Sequence, residues 1–232
     1  MNLMDVVCIL IILLFTVWGF KRGVIKSIVQ LVGTCTVLVL AFVFKDFIAN
    51  LLMDFLPFYN FGGVFNGISS INILIYELIA FILLFVIFYC ILSIIVNLAG
   101  IVEKLLKLTI ILAIPSKILG ALLGLVEGII MAFLVMFILY HMPQTEKMVG
   151  DSKFAIVVLE RTPIIGNLAV STTKALEEID EVLDEMENNE NREQADYEVL
   201  QILIKYNIIT KEDAQKLIDD KKLQFENTII LS

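Results

Sequence analysis

Histidine occurs once and tryptophan once in these 232 residues, cysteine occurs three times, and charged side chains make up only 18% of the chain. One histidine, His141, excludes an H-E-x-x-H zinc site within the chain, and no serine is placed to make a recognisable Ser–His pair with it. No P-loop, no G-x-S-x-G and no dinucleotide fingerprint occurs. Cys8, Cys35 and Cys90 are odd in number, lie inside apolar runs and form no C-x-x-C, so neither a disulfide framework nor a zinc site is expected; they read as small buried hydrophobes. Asp5, Asp46 and Asp54 sit at the edges of apolar runs, which argues against a facing pair of intramembrane aspartates. The expectation is no enzyme, no metal and no cofactor. The start, Met-Asn-Leu-Met-Asp, lacks a basic leader region, and Lys21 and Arg22 rather than a small-residue cleavage site follow the first apolar run. A retained first span is expected, not a removed signal peptide.

Apolar residues are what the chain has in excess: 59% hydrophobic, with a mean hydropathy of +0.92. Soluble domains run near 45–50%. A crossing helix needs about 20 mostly apolar residues. Four segments qualify: 3–20, 27–44, 78–96 and 118–140. Period-2 alternation is absent, which disfavours a β-barrel, and a backbone in hydrocarbon must then satisfy its own hydrogen bonds as helix. The fold class expected is all-α, polytopic, with interfacial helices and an acidic helical tail. Residues 1–143 carry 7 basic and 6 acidic side chains, whereas 144–232 carry 10 and 19. The expected division is therefore a four-helix transmembrane domain over 1–142 and an acidic, water-facing region over 143–232.

Between spans two and three, Phe47, Ile48, Leu51, Leu52 and Phe55 recur at helical spacing, with Asp46, Asn50 and Asp54 opposite them. This predicts an amphipathic helix in the interface, stopped by Pro57 and followed by an aromatic, glycine-rich loop. A re-entrant loop lining a cavity is the alternative. Between spans three and four, 101–117 predicts a surface-lying helix end before Pro115. Basic residues in short loops favour the cytoplasm. Lys21, Arg22, Lys26, Lys104, Lys107 and Lys117 lie on one side, against Lys45, Lys147 and Lys153 on the other. Six against three predicts that both termini are extracytoplasmic.

Gly120, Gly124 and Gly128 repeat every four residues along one face of span four, a packing seam for another span or for a second copy of the chain. Gly19, Lys21, Arg22 and Gly23 make the joint between spans one and two; its glycines allow a tight reversal and its basic pair anchors topology or contacts anionic lipid or a partner protein. Glu127 falls about ten residues into span four, where a charge costs at least about 2.5 kcal/mol. It reads either as a proton or cation site or as a carboxyl hydrogen-bonded to neighbouring spans, with Gln30, Thr34 and Asn97 as candidate neighbours. Asp5 reads as an N-terminal helix cap, and Glu77 sits before span three in the same way.

In the tail, Glu177 to Glu198 hold 11 acidic residues and one basic residue, Arg192. Ile179, Val182, Leu183 and Met186 keep one thin apolar stripe on a helix that Asn188–Asn191 should break. Tyr197, Leu200, Leu203 and Ile204 form a second stripe, ended by Asn207. Thr210 and Asp213 then open another helix as a weak capping box, with Leu217 and Ile218 inward. A helical hairpin is expected over about 197–222, either solvated or docking a protein. Its acidic field excludes nucleic acid.

Asp5, the Gly19-Phe-Lys-Arg-Gly23 joint, four spans and Leu119-Gly120-Ala-Leu-Leu-Gly124-Leu-Val-Glu-Gly128 opening the last of them resemble the CvpA family, the colicin V production protein family of bacterial inner-membrane proteins. The resemblance covers about residues 1–142. It implies a four-helix membrane domain and a role in colicin V or toxin production or export and in the cell envelope, as a scaffold or assembly factor with a membrane-protein partner or a second copy. A small oligomeric transporter or channel using Glu127 is the alternative function. The acidic tail departs from the short family form and carries no protease motif.

Overall fold

In a computed structural model of the chain the described residues are 2–106, 113–140, 145–161, 174–184, 192–223 and 225. Regular structure among them is helical, without strands. α1 spans Leu3–Arg22, α2 Val24–Phe55, α3 Ile71–Leu106 and α4 Ala113–Tyr140. All four include a stretch long and apolar enough to cross a membrane, as the composition requires. The short helices α5 (Glu146–Gly150) and α6 (Lys153–Arg161) follow, then helical residues 174–184 (α7), α8 (Arg192–Lys205) and α9 (Lys211–Asp219). Residues 107–112 of the connection before α4, His141, Pro163, Gly166, Met186 and Asn188–Asn191 lie outside the described residues.

Local chemistry explains the boundaries. Asn2 precedes α1 with extended backbone, and its own N–H donates to Asp5 Oδ2 at 2.7 Å. Gly23 ends α1 at φ 83°, a left-handed conformation that glycine adopts without a Cβ penalty. It is the whole joint, because α2 begins at the next residue. Pro115 falls in the first turn of α4, where its missing N–H leaves no bond unmade. Asn207, at φ 54°, ends α8, and Ile208 N–H reaches back to Leu203 O at 2.9 Å. Thr210 caps α9 by accepting from Asp213 N–H at 3.1 Å.

The chain forms two compact units, Met1–Val39 with Val86–Asn167, and Leu40–Phe85 with Leu168–Ser232. This cuts across the boundary expected after Pro143. In the first unit, α1 and α4 pack along their lengths. At one end of that pair Met4, Cys8, Phe133 and Met136 gather Val149, Ala155 and Val158 of α5 and α6 into one core. In the second unit, Ala49 and Met53 of α2 and Ile71, Ile73, Tyr76 and Ala80 of α3 share a core with Ile179, Leu183, Val199, Leu200, Leu203, Ala214 and Leu217. The acidic tail is thus not simply water-facing: its helices bury apolar faces in these cores, and most of the described carboxylates lie away from them, Asp196 excepted.

One further expectation is corrected. Span two does not stop at Phe44, since α2 runs unbroken through Lys45 and Asp46 to Phe55. At 1.5 Å per residue its 32 residues measure about 48 Å, well beyond the roughly 30 Å of hydrocarbon. On the apolar face expected in the interface, the aromatic side chains are left uncovered by the protein. Phe47 and Phe55 are 71% and 80% exposed, while Ala49 and Met53 are buried. The polar residues opposite bond to the tail: Asn50 Nδ2 donates to Asp213 Oδ2 at 3.1 Å, and Lys216 pairs with Asp54 at 2.7 Å. The aromatic loop is tied to the start of α3, where Asn72 bonds both the N–H and the carbonyl of Tyr59 at 2.9 and 3.0 Å.

Candidate functional site: an intramembrane carboxylate held by four helices

The first unit is assembled around missing side chains. A Cβ on Gly19 would strike the Gly120 carbonyl and lie 2.8 Å from Gly124 Cα. A Cβ on Gly128 would lie 2.9 Å from Ile12 Cα. The seam of α4 therefore meets α1 of the same chain, backbone against backbone. Gly19 belongs to this seam, inside α1, and not to the reversal, which Gly23 makes alone. The contacts pair Gly19 with Gly120 and Gly124, and Ile12 with Gly128, so the two helices run antiparallel.

That crossing fixes what Glu127 meets. Its side chain is 2% exposed. Arg22, at the last position of α1, reaches Glu127 Oε2 through Nη1 at 3.3 Å. Tyr89 of α3 donates its hydroxyl to Oε1 at 3.3 Å, and Thr34 of α2 donates to the same oxygen at 3.4 Å. Gln30, one turn before Thr34, donates its amide to Thr34 Oγ1 at 3.3 Å and to the Tyr89 hydroxyl at 3.0 Å. One carboxylate on α4 thus gathers a polar side chain from each of the other three long helices. Among the described residues every fully buried polar side-chain atom has a partner.

Of the candidate neighbours, Gln30 and Thr34 are in the cluster, and Asn97 is exposed and apart from it. Arg22 and Tyr89 are the members that sequence reasoning does not find. As a loop cation Arg22 is fully explained by topology; its long guanidinium instead turns back along the seam. Tyr89 is one more aromatic in an apolar run, and the signal that could reveal it is its hydroxyl, which in such a run needs an acceptor.

The chemistry of this set is that of a lock. A guanidinium fills the cation position beside the carboxylate, and the remaining groups are hydroxyls and an amide. No second carboxylate joins it, and no group of three or more His, Cys, Asp or Glu gathers among the described residues.

Asp5 makes a second polar node in the same unit. Besides Asn2 N–H, it accepts from Ser152 Oγ at 2.6 Å and from Phe154 N–H at 3.2 Å. Ser152 in turn accepts from Ala155 N–H at 3.1 Å. One carboxylate therefore serves the amino ends of both α1 and α6, more than the single cap expected of it. Glu77 is not at a helix start. It lies in the second turn of α3, buried, in the second unit, and its carboxylate pairs with Lys45, which also bonds Asp46 at 2.8 Å. Lys45 is consequently not a loop cation.

Beyond the membrane segments, Asp196 is buried and accepts from Ser70 N–H at 2.7 Å. Burial raises its carboxyl above the ordinary aspartate range, and the Ser70 bonds only partly oppose this. Glu178 behaves in the opposite sense: bonds from Lys205 at 2.6 Å and from the Tyr206 hydroxyl hold it below the usual glutamate value.

Residues 4–163 match the family described as Colicin V production protein. No curated protein and no solved structure matches the chain.

Proposed function

This chain belongs to the colicin V production protein family, and on that premise we propose that it is a non-enzymatic scaffold or assembly factor of the bacterial cell envelope, serving toxin production or export. The observation that carries this reading is the saturation of Glu127. An ionised group placed among spans for transport must exchange partners with water or cargo. Here both carboxylate oxygens are engaged by residues of the same fold. The charge is spent on fastening four helices together, which suits a platform on which other chains assemble. Isolation in a gentle detergent should return a stable partner or a defined oligomer. A monodisperse, inert monomer from native membranes would count against the scaffold.

A second reading, a small oligomeric transporter or channel, is favoured by one observation. The side chain of Arg22 is 23% exposed, so one end of the ion pair lies open at the protein surface. Ion or proton flux into liposomes, compared between the wild type and Glu127→Gln, decides between the two. Flux abolished by the substitution selects transport, and none in either protein removes it. Placement in the inner membrane with both termini outside the cytoplasm belongs to the same proposal. Protease cleavage of the tail in cells with intact membranes supports it; cleavage confined to permeabilised cells reverses it.

A further inference from the structure

We infer that the joint between α1 and α2 carries a binding site for the phosphate group of an anionic phospholipid. Trp18, Lys21, Arg22 and Lys26 line an open hollow of about 340 Å³ there. Three of the four lining residues are cations, and none is acidic. Lys117, from the start of α4, adds a fourth cation at the same end of the unit, its ammonium 5.7 Å from the centre of the Phe20 ring. Glu127 engages Arg22 from the buried side.

Its depth selects the ligand. The apolar run of α1 ends at Arg22, so the hollow lies where hydrocarbon gives way to headgroups. Trp18 is half-exposed on the apolar side of the cations, the position an indole takes at that boundary. The Arg22 guanidinium stands 5.8 Å from the Trp18 ring centre, which holds the aromatic wall against the cationic floor. A phosphodiester would meet the lysines while its acyl chains lie along the exposed apolar faces of α1 and α2, where Leu14, Val17 and Ile28 are exposed. A soluble anion gains only the first of these contacts.

Trp18 is the chain's sole tryptophan, so its fluorescence reads this site alone. The full chain is reconstituted into vesicles containing brominated phosphatidylglycerol or brominated phosphatidylcholine, and quenching gives the relative affinity of the two lipids. The wild type should prefer the anionic lipid several-fold. Lys21→Gln with Lys26→Gln should lower that preference roughly tenfold, to near parity. Lys147→Gln with Lys153→Gln, at the other end of the same unit, should leave it unchanged. Arg22 is left intact, because its loss would disturb Glu127, and helix content by circular dichroism checks that each variant is folded. Equal quenching by both lipids in the wild type overturns the inference. So does an equal loss in the distal double variant, which would mark bulk charge attraction. Displacement of the brominated anionic lipid by millimolar inorganic phosphate would mark a soluble-ion site and overturn it too.

Discussion

Arg22 and Glu127 meet at 3.3 Å although one closes the first long helix and the other lies in the middle of the fourth. The pair is asymmetric, with Glu127 enclosed and Arg22 partly exposed at the protein surface. Removing the guanidinium strands a buried carboxylate, whereas removing the carboxylate releases an arginine that can turn outward. Arg22→Gln should therefore destabilise the protein by about 3 kcal/mol. Glu127→Gln should cost less, since the amide carbonyl still accepts from Tyr89 and Thr34. The double variant should recover part of the loss. Thermal unfolding in one detergent, arranged as a double-mutant cycle, measures this; purely additive losses would mean that the two charges do not interact.

The glycine seam makes a steric prediction. Gly124→Val places two methyl groups where the Gly19 Cα and the Phe15 carbonyl already lie. The helices must part, at a cost of about 1–3 kcal/mol or more. Gly62→Ala, with nothing near its Cβ and an ordinary φ of −84°, should be neutral. Folded yield and melting temperature of the two variants should separate cleanly, and equal behaviour would deny the close approach of α1 and α4.

Asp196 and Glu178 predict opposite pH responses within the second unit. The carboxyl of Asp196 is raised in the folded state, so its contribution is fully present below the unfolded value near 3.8 and is lost as pH climbs through the higher folded one. Glu178 is lowered, so its contribution is present above about 4.5 and is lost as pH falls through its folded value. Asp196→Asn should flatten the loss of stability on raising the pH from about 4, and Glu178→Gln should flatten the acid limb. Amide hydrogen exchange of 192–223 across that range reads both. Parallel pH profiles for the wild type and both variants would contradict the assignment.

Leu203 is fully buried among the residues that join the tail helices to α2 and α3 within the second unit. Leu203→Ala should cost about 2–5 kcal/mol and speed proteolysis across α8 and α9 while leaving Cys8, in the core of the other unit, shielded from alkylation. Unchanged cleavage rates would indicate that the tail helices do not pack there.

The four spans are legible in the sequence because a long apolar run has few other uses in a chain this poor in charge. The α9 cap at Thr210 and the stop at Asn207 are legible because each depends on residues within four positions. What stays hidden depends on partners distant in sequence. The buried face of Ala49 and Met53 is hidden, since these residues are small or unbranched and signal weakly, and the core they join includes tail residues more than 100 positions later. Lys45 and Glu77 each read as edge residues because neither announces the other. Glu127 is conspicuous as a lone charge, but any of the three other long helices could supply the answering group. An arginine whose position topology alone accounts for gives no sign that it also pairs with a buried carboxylate.

Gly23 joins α1 and α2 without a loop, and this turns a hinge into a gear. Each residue of helix advances the azimuth by about 100°. A single alanine inserted after Gly23 would leave every span as greasy as before, yet swing Gln30 and Thr34 away from the carboxylate they now face. Length variation that most connections absorb is forbidden at this one, so the phase of the second helix is inherited from the first.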